Sequence, residues 1–511
     1  MSPVAHPRRR LRGDEAIYLY LESPRSAMHV GLLCSVDQRL ELEPLCEAIQ
    51  EVISSRDATP ALRCRLGPAA GGLLHPSLVD DRDFVAEDHV LEQALSPHET
   101  VESVAARLMS EHLDRSRPLW ELHLLQPADP GAATTLLFKA HRAVVHEPSG
   151  LNLFSLLVGR LNEHERGRAA RAAVATAPAH ELGTPLPTGE EIEAGEVAPR
   201  SLPSELLRSA LEAGLSGFDW LRLVGESNRI AVRTLLDVEP ELGLPVPRLP
   251  FNRLGSGRHR IARLTLSYAE ARGIRHALGG SIGDVGLTIV TAALARRLVV
   301  ASSSGRAGER RLRLLCPMPV QLLGEGSTIS TTYLPLALPL HGEDLAHTYR
   351  AVRTQTRTLR AARVPHALGD LLEVLTERPA PAVKQLARLA RFPLLCNLFY
   401  TQTAGPQVAL RLQDAEIREI HPLNPMLREN GLGLASLSYN QRICFGLRAD
   451  DLAFPQIGPL RDEIDRAMAD LRIAAGVPDL EPIDIGRRRP SAARREAETS
   501  TGRASRNRRP A

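Results

Sequence analysis

The first 170 residues alternate between short apolar runs and segments in which apolar residues recur every three or four positions. The runs "MHVGLLCSV", "LWELHLLQ" and "ATTLLFKAH" have the length and composition of buried β-strands. The segments "LEPLCEAIQEVISS" and "VESVAARLMSEHLD" place their apolar residues on one face of a helix. The block from about Asp14 to Ala170 is therefore predicted to be a mixed α/β lobe.

The same alternation returns between about Phe251 and Val477. The apolar runs "RIARLTLS" and "RLRLLCPMPV" predict strands on either side of the helical pattern "SIGDVGLTIVTAALARRL". Further along, "ASLSYNQRICFGLRAD" predicts a β-hairpin and "IGPLRDEIDRAMADLRIAAG" a helix. Two mixed α/β lobes are the expected architecture.

The segments outside these lobes differ in composition. Residues 1–13 are rich in Arg, and residues 478–511 in Pro, Arg and Ser, which predicts disordered basic ends. Residues 171–250 are rich in Ala, Pro and Glu, which predicts an exposed linker. Within that linker, "SELLRSALEAGLSGFDWLRLV" predicts a helix that bridges the lobes. The expected lobes are thus 14–170 and 251–477.

Composition narrows the class of protein. The chain has 511 residues and a net charge of +3, which is too small to indicate a specific nucleic-acid partner. No stretch reaches the roughly 20 apolar residues that span a bilayer, and the N-terminus lacks the apolar core of a secretion signal. The six cysteines are scattered without a CxxC pair, which predicts buried free thiols and no metal site. We expect a cytoplasmic protein that is at most peripheral at membranes or lipid inclusions.

The segment "LLFKAHRAVVHEPSG" contains the residues best suited to chemistry. The predicted strand delivers His141, Arg142 and His146 into a turn that ends with Ser149 and Gly150, and a helical pattern follows. Imidazoles can take or donate protons near neutral pH, whereas a guanidinium has only donors. This turn is the first candidate for an active site.

Four segments in chain order resemble the bacterial wax ester synthase/diacylglycerol acyltransferase family. "DEAIYLYLESPRSAMHVG" is similar to its "D..FL..E.P..PMHVG" segment, and "LDRSRPLWELHLL" to its "LDRSRPLWE". "PFNRLGSGRHRIARLTLS" resembles the family's "P.N...SG.RR.A...L", and "LSYNQRICFGLRADDL" its "SYNG.L.FGL.AD" hairpin. The resemblance extends from about Asp14 to about Leu471.

This resemblance implies a fold of two lobes related to CoA-dependent acyltransferases and condensation domains. Each lobe would have a mixed sheet flanked by helices, with the active-site channel between the lobes. The implied reaction transfers a fatty acyl group from acyl-CoA to diacylglycerol or a long-chain alcohol. Acyl-CoA would be a co-substrate, and no bound cofactor is expected. In the family motif HHxxxDG, the second His removes the proton of the attacking hydroxyl.

The chain departs from that motif at the positions that carry the chemistry. His141 occupies the first His position, and Arg142 falls on the catalytic His. His146 stands at the Asp position and Glu147 at the Gly position. Because Arg has no acceptor and a pKa above about 12, it cannot take a proton from a hydroxyl near neutral pH.

Two interpretations of the altered motif remain open at this stage. In one, His146 acts as a relocated base that Glu147 orients. In the other, His141 packs behind the strand, Arg142 forms a salt bridge with Glu147 or another acid, and His146 is a solvated loop residue. Arg142 could also stabilise an oxyanion or bind phosphates of CoA.

Other family-like positions are candidates for the substrate channel. Ser149 and Gly150 follow the motif, Asp284 keeps the acid of the family's "ND" pair, and Gln402 replaces the Asn of "SNVPGP". Asp284 is equally well explained as a helix cap. Trp120 is expected to be a core residue.

Three functions follow from these observations. The first is an acyl-CoA-dependent O-acyltransferase of low activity that makes triacylglycerol or wax ester. The second is a catalytically inactive paralogue that binds lipid or acyl-CoA, or partners an active homologue. The third is a condensation reaction with an acyl carrier protein as donor. The expected partners are acyl-CoA and a lipid alcohol, with the basic tail as a contact to anionic lipid surfaces.

Overall fold

The structure is a computed structural model of the chain. It describes residues 9–55, 60–67, 72–145, 148–176, 248–301, 311–321, 329–340, 344–361, 364–365, 378–390, 396–427 and 429–480. His146, Glu147, the predicted bridging helix and the basic tail after residue 480 lie outside the described residues. The predictions for those segments therefore stay predictions.

The first block folds into the strands and helices that its apolar pattern predicts. Its elements are β1 (Arg9–Arg10), α1 (Gly13–Leu21), β2 (His29–Val36), α2 (Leu42–Ser54), α3 (Pro60–Arg63), β3 (Cys64–Leu66), β4 (Ser77–Asp80), β5 (Val90–Ala94), α4 (Val101–Ser110), β6 (Trp120–Gln126), β7 (Thr135–His141) and α5 (Leu151–Thr176). All three predicted strands and both predicted helices are confirmed.

In the second block, the predicted strands, helices and hairpin are confirmed. Its elements are β8 (His259–Ser267), α6 (Tyr268–Leu278), α7 (Ile282–Ala301), β9 (Arg311–Gln321), β10 (Ile329–Pro339), α8 (Leu345–Ala361), α9 (Ala380–Ala390), β11 (Leu398–Ala404), β12 (Arg411–Leu412), β13 (Ala415–Leu423), β14 (Leu432–Tyr439), β15 (Arg442–Asp450) and α10 (Ile457–Ala474). Asn440 and Gln441 join β14 to β15 with φ angles of 46° and 59°, the geometry of a tight two-residue hairpin turn.

The first sheet has the strand order β12-β13-β2-β7-β6-β5. β7 lies near its centre, antiparallel to both β2 and β6, and every residue of β7 is buried. One face of the sheet packs on α2 and α5, with Trp120 fully buried in that core. The other face packs on α4, together with Ile261 and Leu423 from the second block.

The second sheet has the order β10-β9-β11-β14-β15-β8 and mixes parallel with antiparallel pairs. Its core includes α7, α8 and α10. A third, three-stranded sheet has the order β1-β4-β3. The architecture is therefore α/β, with two mixed sheets flanked by helices, as predicted.

The structure differs from the predicted domain boundaries in three places. Residues 411–423, expected in the second lobe, form β12 and β13 and pair with β2 in the first sheet. At the N-terminus, Arg9 and Arg10 pair with β4 and α1 begins at Gly13, so order begins before residue 14. In addition, α5 continues past residue 170 to Thr176. The apolar pattern finds strands but does not say which sheet they join.

Two further predictions concern cysteines and membranes. All six cysteines are free, and five of them are buried, as predicted. Within the described ranges, no single helix is long and apolar enough to cross a membrane. In the same ranges, one pair of helices, α6 and Ile282–Leu298, bent by 100° at the break between them, is long and apolar enough only when the two are taken together.

Candidate active site

The strand β7 delivers His141 into the interior beside β2, where it lies opposite His29. Only 1% of His141 is exposed, and its Nδ1 accepts a hydrogen bond of 3.0 Å from the backbone N–H of Ala143. A neutral ring whose Nδ1 accepts must carry its proton on Nε2. That Nε2 lies 3.4 Å from Oε2 of Glu22. The ring of His141 is thus fixed between a turn backbone and a carboxylate.

Glu22, at the end of α1, is surrounded by positively charged or polar groups. Its carboxylate lies 3.6 Å from Nε2 of both His29 and His112 and is hydrogen-bonded to Arg115. Burial alone would raise the pKa of Glu22, but contacts with His141 and Arg115 outweigh it and lower the pKa to about 2. Burial lowers the pKa of His141, although Glu22 opposes the shift. A neutral His141 beside an ionised Glu22 and the Arg115 cation is consistent with the lowered pKa of Glu22 and the lowered pKa of His141.

Arg142 begins a single 3-10 turn, Arg142–Val144, and is 8% exposed. Its backbone N–H donates to Met28 O at 2.8 Å, and its guanidinium donates to Val145 O. The guanidinium carbon lies 4.8 Å from the centre of the Tyr18 ring, a cation–π distance. Within the described part of the chain, no carboxylate forms an ion pair with Arg142. The salt bridge predicted for Arg142 is therefore not made with any described acid.

Tyr18 links this turn to the second lobe. Its hydroxyl lies 3.1 Å from the hydroxyl of Tyr333 on β10, which pairs within the second sheet. Burial, together with Tyr18, raises the pKa of Tyr333 well above its ordinary value, which keeps the phenol protonated. Arg142, at the catalytic position of the altered motif, therefore lies where the two lobes meet.

Ser149 and Gly150 shape the turn into α5. Ser149 is buried, and its Oγ accepts a hydrogen bond of 3.2 Å from the N–H of Leu151. Gly150 has a φ of +82°, and a Cβ at this position would lie 2.9 Å from Val30 Cγ2. The backbone conformation and the close approach of β2 both require glycine here. The next residue, Leu151, lies against Gly405 of the "TQTAGP" segment, so the turn is adjacent to the second lobe.

The side chain of Asp284 forms hydrogen bonds with Ser281 at the start of its own helix, α7. Its Oδ2 accepts from the N–H of Ser281 at 2.8 Å, while its N–H donates to Ser281 Oγ at 3.1 Å. These reciprocal bonds form a capping box at the start of α7. Thr356 donates to the other carboxylate oxygen at 2.7 Å. With both oxygens engaged in a buried setting, the geometry is that of a structural cap.

Replacing Asp284 by Asn should lower the free energy of unfolding by about 1–2 kcal/mol, since the cap and a buried hydrogen bond are weakened. Urea unfolding measures this loss. Asp462→Asn, an exposed acid on α10, is the matched control and should stay within about 0.5 kcal/mol of the wild type. An Asp284→Asn variant of unchanged stability but reduced acyl transfer would instead assign Asp284 a chemical role.

Gln402 lies on β11, against the same end of α7. A Cβ on Gly283 would lie 3.1 Å from Gln402 Oε1, and one on Gly286 would lie 2.5 Å from Tyr400 Oη. The glycines of α7 therefore allow β11 to approach closely. The structure places Asp284 and Gln402 together in the second lobe, and His141, Arg142, Ser149 and Gly150 together in the first.

A buried arginine joins the two lobes behind this site. Arg448 on β15 is 0% exposed and donates to Met109 O of α4 at 2.6 Å, to Asn424 O at 3.2 Å and to Nδ1 of His259 at 2.8 Å. Burial lowers the pKa of Arg448 to about 9. Burial and then Arg448 lower the pKa of His259 to about 2. No acid compensates this charge in the described contacts of Arg448, which are all to neutral acceptors.

Sequence reasoning missed Glu22, Tyr18, Tyr333 and Arg448. Tyr18 and Glu22 lie in "DEAIYLYLESP", one of the segments with the family resemblance. That resemblance was a signal that this segment lies near the motif. Tyr333 gave no comparable signal, because 315 positions separate it from Tyr18 along the chain. Among the described residues, no group of three or more His, Cys, Asp or Glu could hold a metal ion.

Comparisons with known proteins cover both lobes. The model of the wax ester synthase/diacylglycerol acyltransferase catalytic domain matches residues 11–286, and that of the WS/DGAT C-terminal domain matches residues 326–472. A Mycobacterium tuberculosis protein named as a candidate diacylglycerol O-acyltransferase is 23% identical over 491 residues. The match covers 92% of this chain and 91% of the relative.

Solved structures show the same fold. The wax ester synthase/diacylglycerol acyltransferase from Marinobacter aquaeolei VT8 is 20% identical, with a TM-score of 0.58 over 92% of this chain and 100% of that one. The trichothecene 15-O-acetyltransferase from Fusarium sporotrichioides is 14% identical, with a TM-score of 0.57 over 91% and 95%. The first condensation domain of the CDA synthetase is 15% identical, with a TM-score of 0.54 over 94% and 98%.

Proposed function

Because the chain belongs to the wax ester synthase/diacylglycerol acyltransferase family, we propose that it transfers a fatty acyl group from acyl-CoA to a lipid alcohol, at a low rate. The observation that carries this proposal is the position of Arg142. It stands at the place of the family's catalytic His, at the end of β7, and contacts the second lobe through Tyr18 and Tyr333. Diacylglycerol and long-chain alcohols are the acceptors that the family supports.

The reaction forms a C–O bond between the alcohol oxygen and the acyl carbonyl carbon and breaks the C–S bond to CoA. The hydroxyl proton ends on the departing thiolate or in solvent. Arg142 can donate to the oxyanion that develops on the carbonyl oxygen. It cannot remove the proton, because it has no acceptor.

His141 does not replace the missing base. Its Nδ1 is engaged by Ala143, and its protonated Nε2 faces Glu22 in a buried setting. A general base contributes typically about 10²–10⁴-fold, while positioning of the two substrates acts independently. Slow turnover, not its complete absence, is the expected result. His146 with Glu147 stays the candidate for a relocated base.

The same observation favours a second function, a non-catalytic paralogue that binds lipid or acyl-CoA. A buried arginine with no acceptor at the base position suits binding better than proton transfer. We also propose that the nine arginines between residues 487 and 511 hold the chain at anionic lipid surfaces, each contributing about 1 kcal/mol near such a surface.

Release of CoA thiol from palmitoyl-CoA separates the two functions. We expect release above the no-enzyme blank, increased by diacylglycerol or hexadecanol. No release, with palmitoyl-CoA binding retained, would instead establish the paralogue. If a palmitoyl carrier-protein thioester outcompetes the CoA ester, the donor is a carrier protein. A loss of about 10²-fold or more in His146→Ala would identify His146 as the base, and unchanged turnover would exclude it.

A further inference from the structure

We propose that Arg142, with the hydroxyls of Tyr18 and Tyr333, binds the carboxylate of a free long-chain fatty acid where the two lobes meet. The three side chains come from three separate elements: the turn after β7, helix α1 and strand β10. They are joined by the cation–π contact of 4.8 Å and the hydroxyl pair at 3.1 Å.

The guanidinium brings a positive charge that the described residues leave uncompensated. Arg142 is 8% exposed, its one described side-chain hydrogen bond goes to the neutral carbonyl of Val145, and no described carboxylate pairs with it. A buried cation without an anion is costly, and its remaining N–H groups can still donate. The site therefore favours an anionic ligand.

The phenol pair supplies a second, independent reason. Two hydroxyls carry two protons, and the bond between Tyr18 and Tyr333 uses one of them. The other proton remains available for an acceptor close to Arg142. A guanidinium beside a phenol donor is a suitable set of donors for the two oxygens of a carboxylate.

Charge and surroundings distinguish a carboxylate from a phosphate. One guanidinium balances a single negative charge, whereas a phosphate monoester carries close to two and needs further cations. Apolar residues adjoin the site: Met28, whose carbonyl accepts from the backbone N–H of Arg142, is 1% exposed, and the Phe399 ring lies 6.2 Å from that of Tyr333. A charged head followed by an apolar chain fits this setting. The inference that the ligand has an apolar chain rests on the proposed acyl-transfer function, while the inference that its head is anionic rests on the geometry alone.

Equilibrium dialysis of the full chain with radiolabelled palmitate or hexadecanol tests the proposal, because the two ligands share a chain and differ in the head. Arg142→Met should weaken palmitate binding about 10- to 100-fold and change hexadecanol binding less than about 2-fold. Tyr333→Phe should weaken palmitate binding by a smaller factor. Arg107→Gln, an exposed arginine on α4, is the matched control and should change neither.

Equal loss of both ligands in Arg142→Met would indicate a folding defect, and Tyr333→Phe then decides. The proposal is overturned if wild type does not bind palmitate, or if neither variant changes palmitate binding selectively. It is also overturned if coenzyme A displaces palmitate from wild type but not from Arg142→Met, since the anion is then a phosphate. Thiol release is measured separately, so a failure of the proposed function would leave these binding results intact.

Discussion

The triple variant Arg142→His, His146→Asp and Glu147→Gly should release CoA thiol from palmitoyl-CoA about 10²- to 10⁴-fold faster than the wild type. The reason is that the three changes restore the family's motif after His141. An imidazole at position 142 would have an acceptor nitrogen at the place where the guanidinium now lies over Tyr18. The remaining scaffold, including the Gly150 turn and the capped α7, is already in place.

The control for this experiment is Arg142→Gln combined with the same two substitutions. It restores the Asp and Gly of the motif but supplies no base, so its thiol release should not exceed that of the wild type. Diacylglycerol or hexadecanol should increase release strongly in the variant that carries Arg142→His and not in this control. If both variants stay at the wild-type rate, the defect is not confined to the motif, and the binding function becomes the better explanation.

The sequence predicted the elements of this fold because their signals are local. The strand ending at His141 and the helix beginning at Leu151 follow from apolar spacing and the intervening Gly150. The hairpin at Asn440 and Gln441 follows from two alternating runs around a short polar turn. In contrast, the pairing of Ile417 with Val36 joins segments far apart in the chain, and no local pattern encodes it.

For the candidate site, the sequence predicted which residues occupy the motif positions but not which side chains surround them. The motif comparison indicated that Arg142 occupies the base position, and the acceptor chemistry of Arg then follows from its side chain. It could not indicate that Tyr18 lies beneath the guanidinium, or that Tyr333 approaches from the second sheet. Such contacts depend on how the two lobes pack. The same limit applies to Arg448, whose partners Met109 and His259 lie in separate elements.

Lowering the pH from 7 to 4.5 should remove at least about 2.5 kcal/mol from the free energy of unfolding, because His259 and other buried histidines remain neutral in the folded chain. Burial, then Arg448, lowers the pKa of His259 to about 2. Burial, then Lys139, lowers the pKa of His29 well below its ordinary value. Both rings titrate near pH 6.5 when unfolded, so the unfolded chain binds these protons first. The contribution of His259 is complete above pH 6.5 and decreases by about 1.4 kcal/mol for each pH unit below it, and the contribution of His29 decreases in the same direction.

Urea unfolding at pH 7.5, 6.5, 5.5 and 4.5 measures this slope, and His259→Gln isolates one ring. Its amide oxygen can still accept from Arg448, but it does not titrate, so the slope below pH 6.5 should decrease by about 1.4 kcal/mol per pH unit. His276→Gln, at an exposed position on α6, should keep the wild-type slope. Below pH 4.5 a further loss should begin, because protonation of Glu22, whose pKa is about 2, ends its contacts with Arg115 and the surrounding histidines. A stability that stays constant from pH 7.5 to 4.5 would contradict the neutral, buried state of His29 and His259.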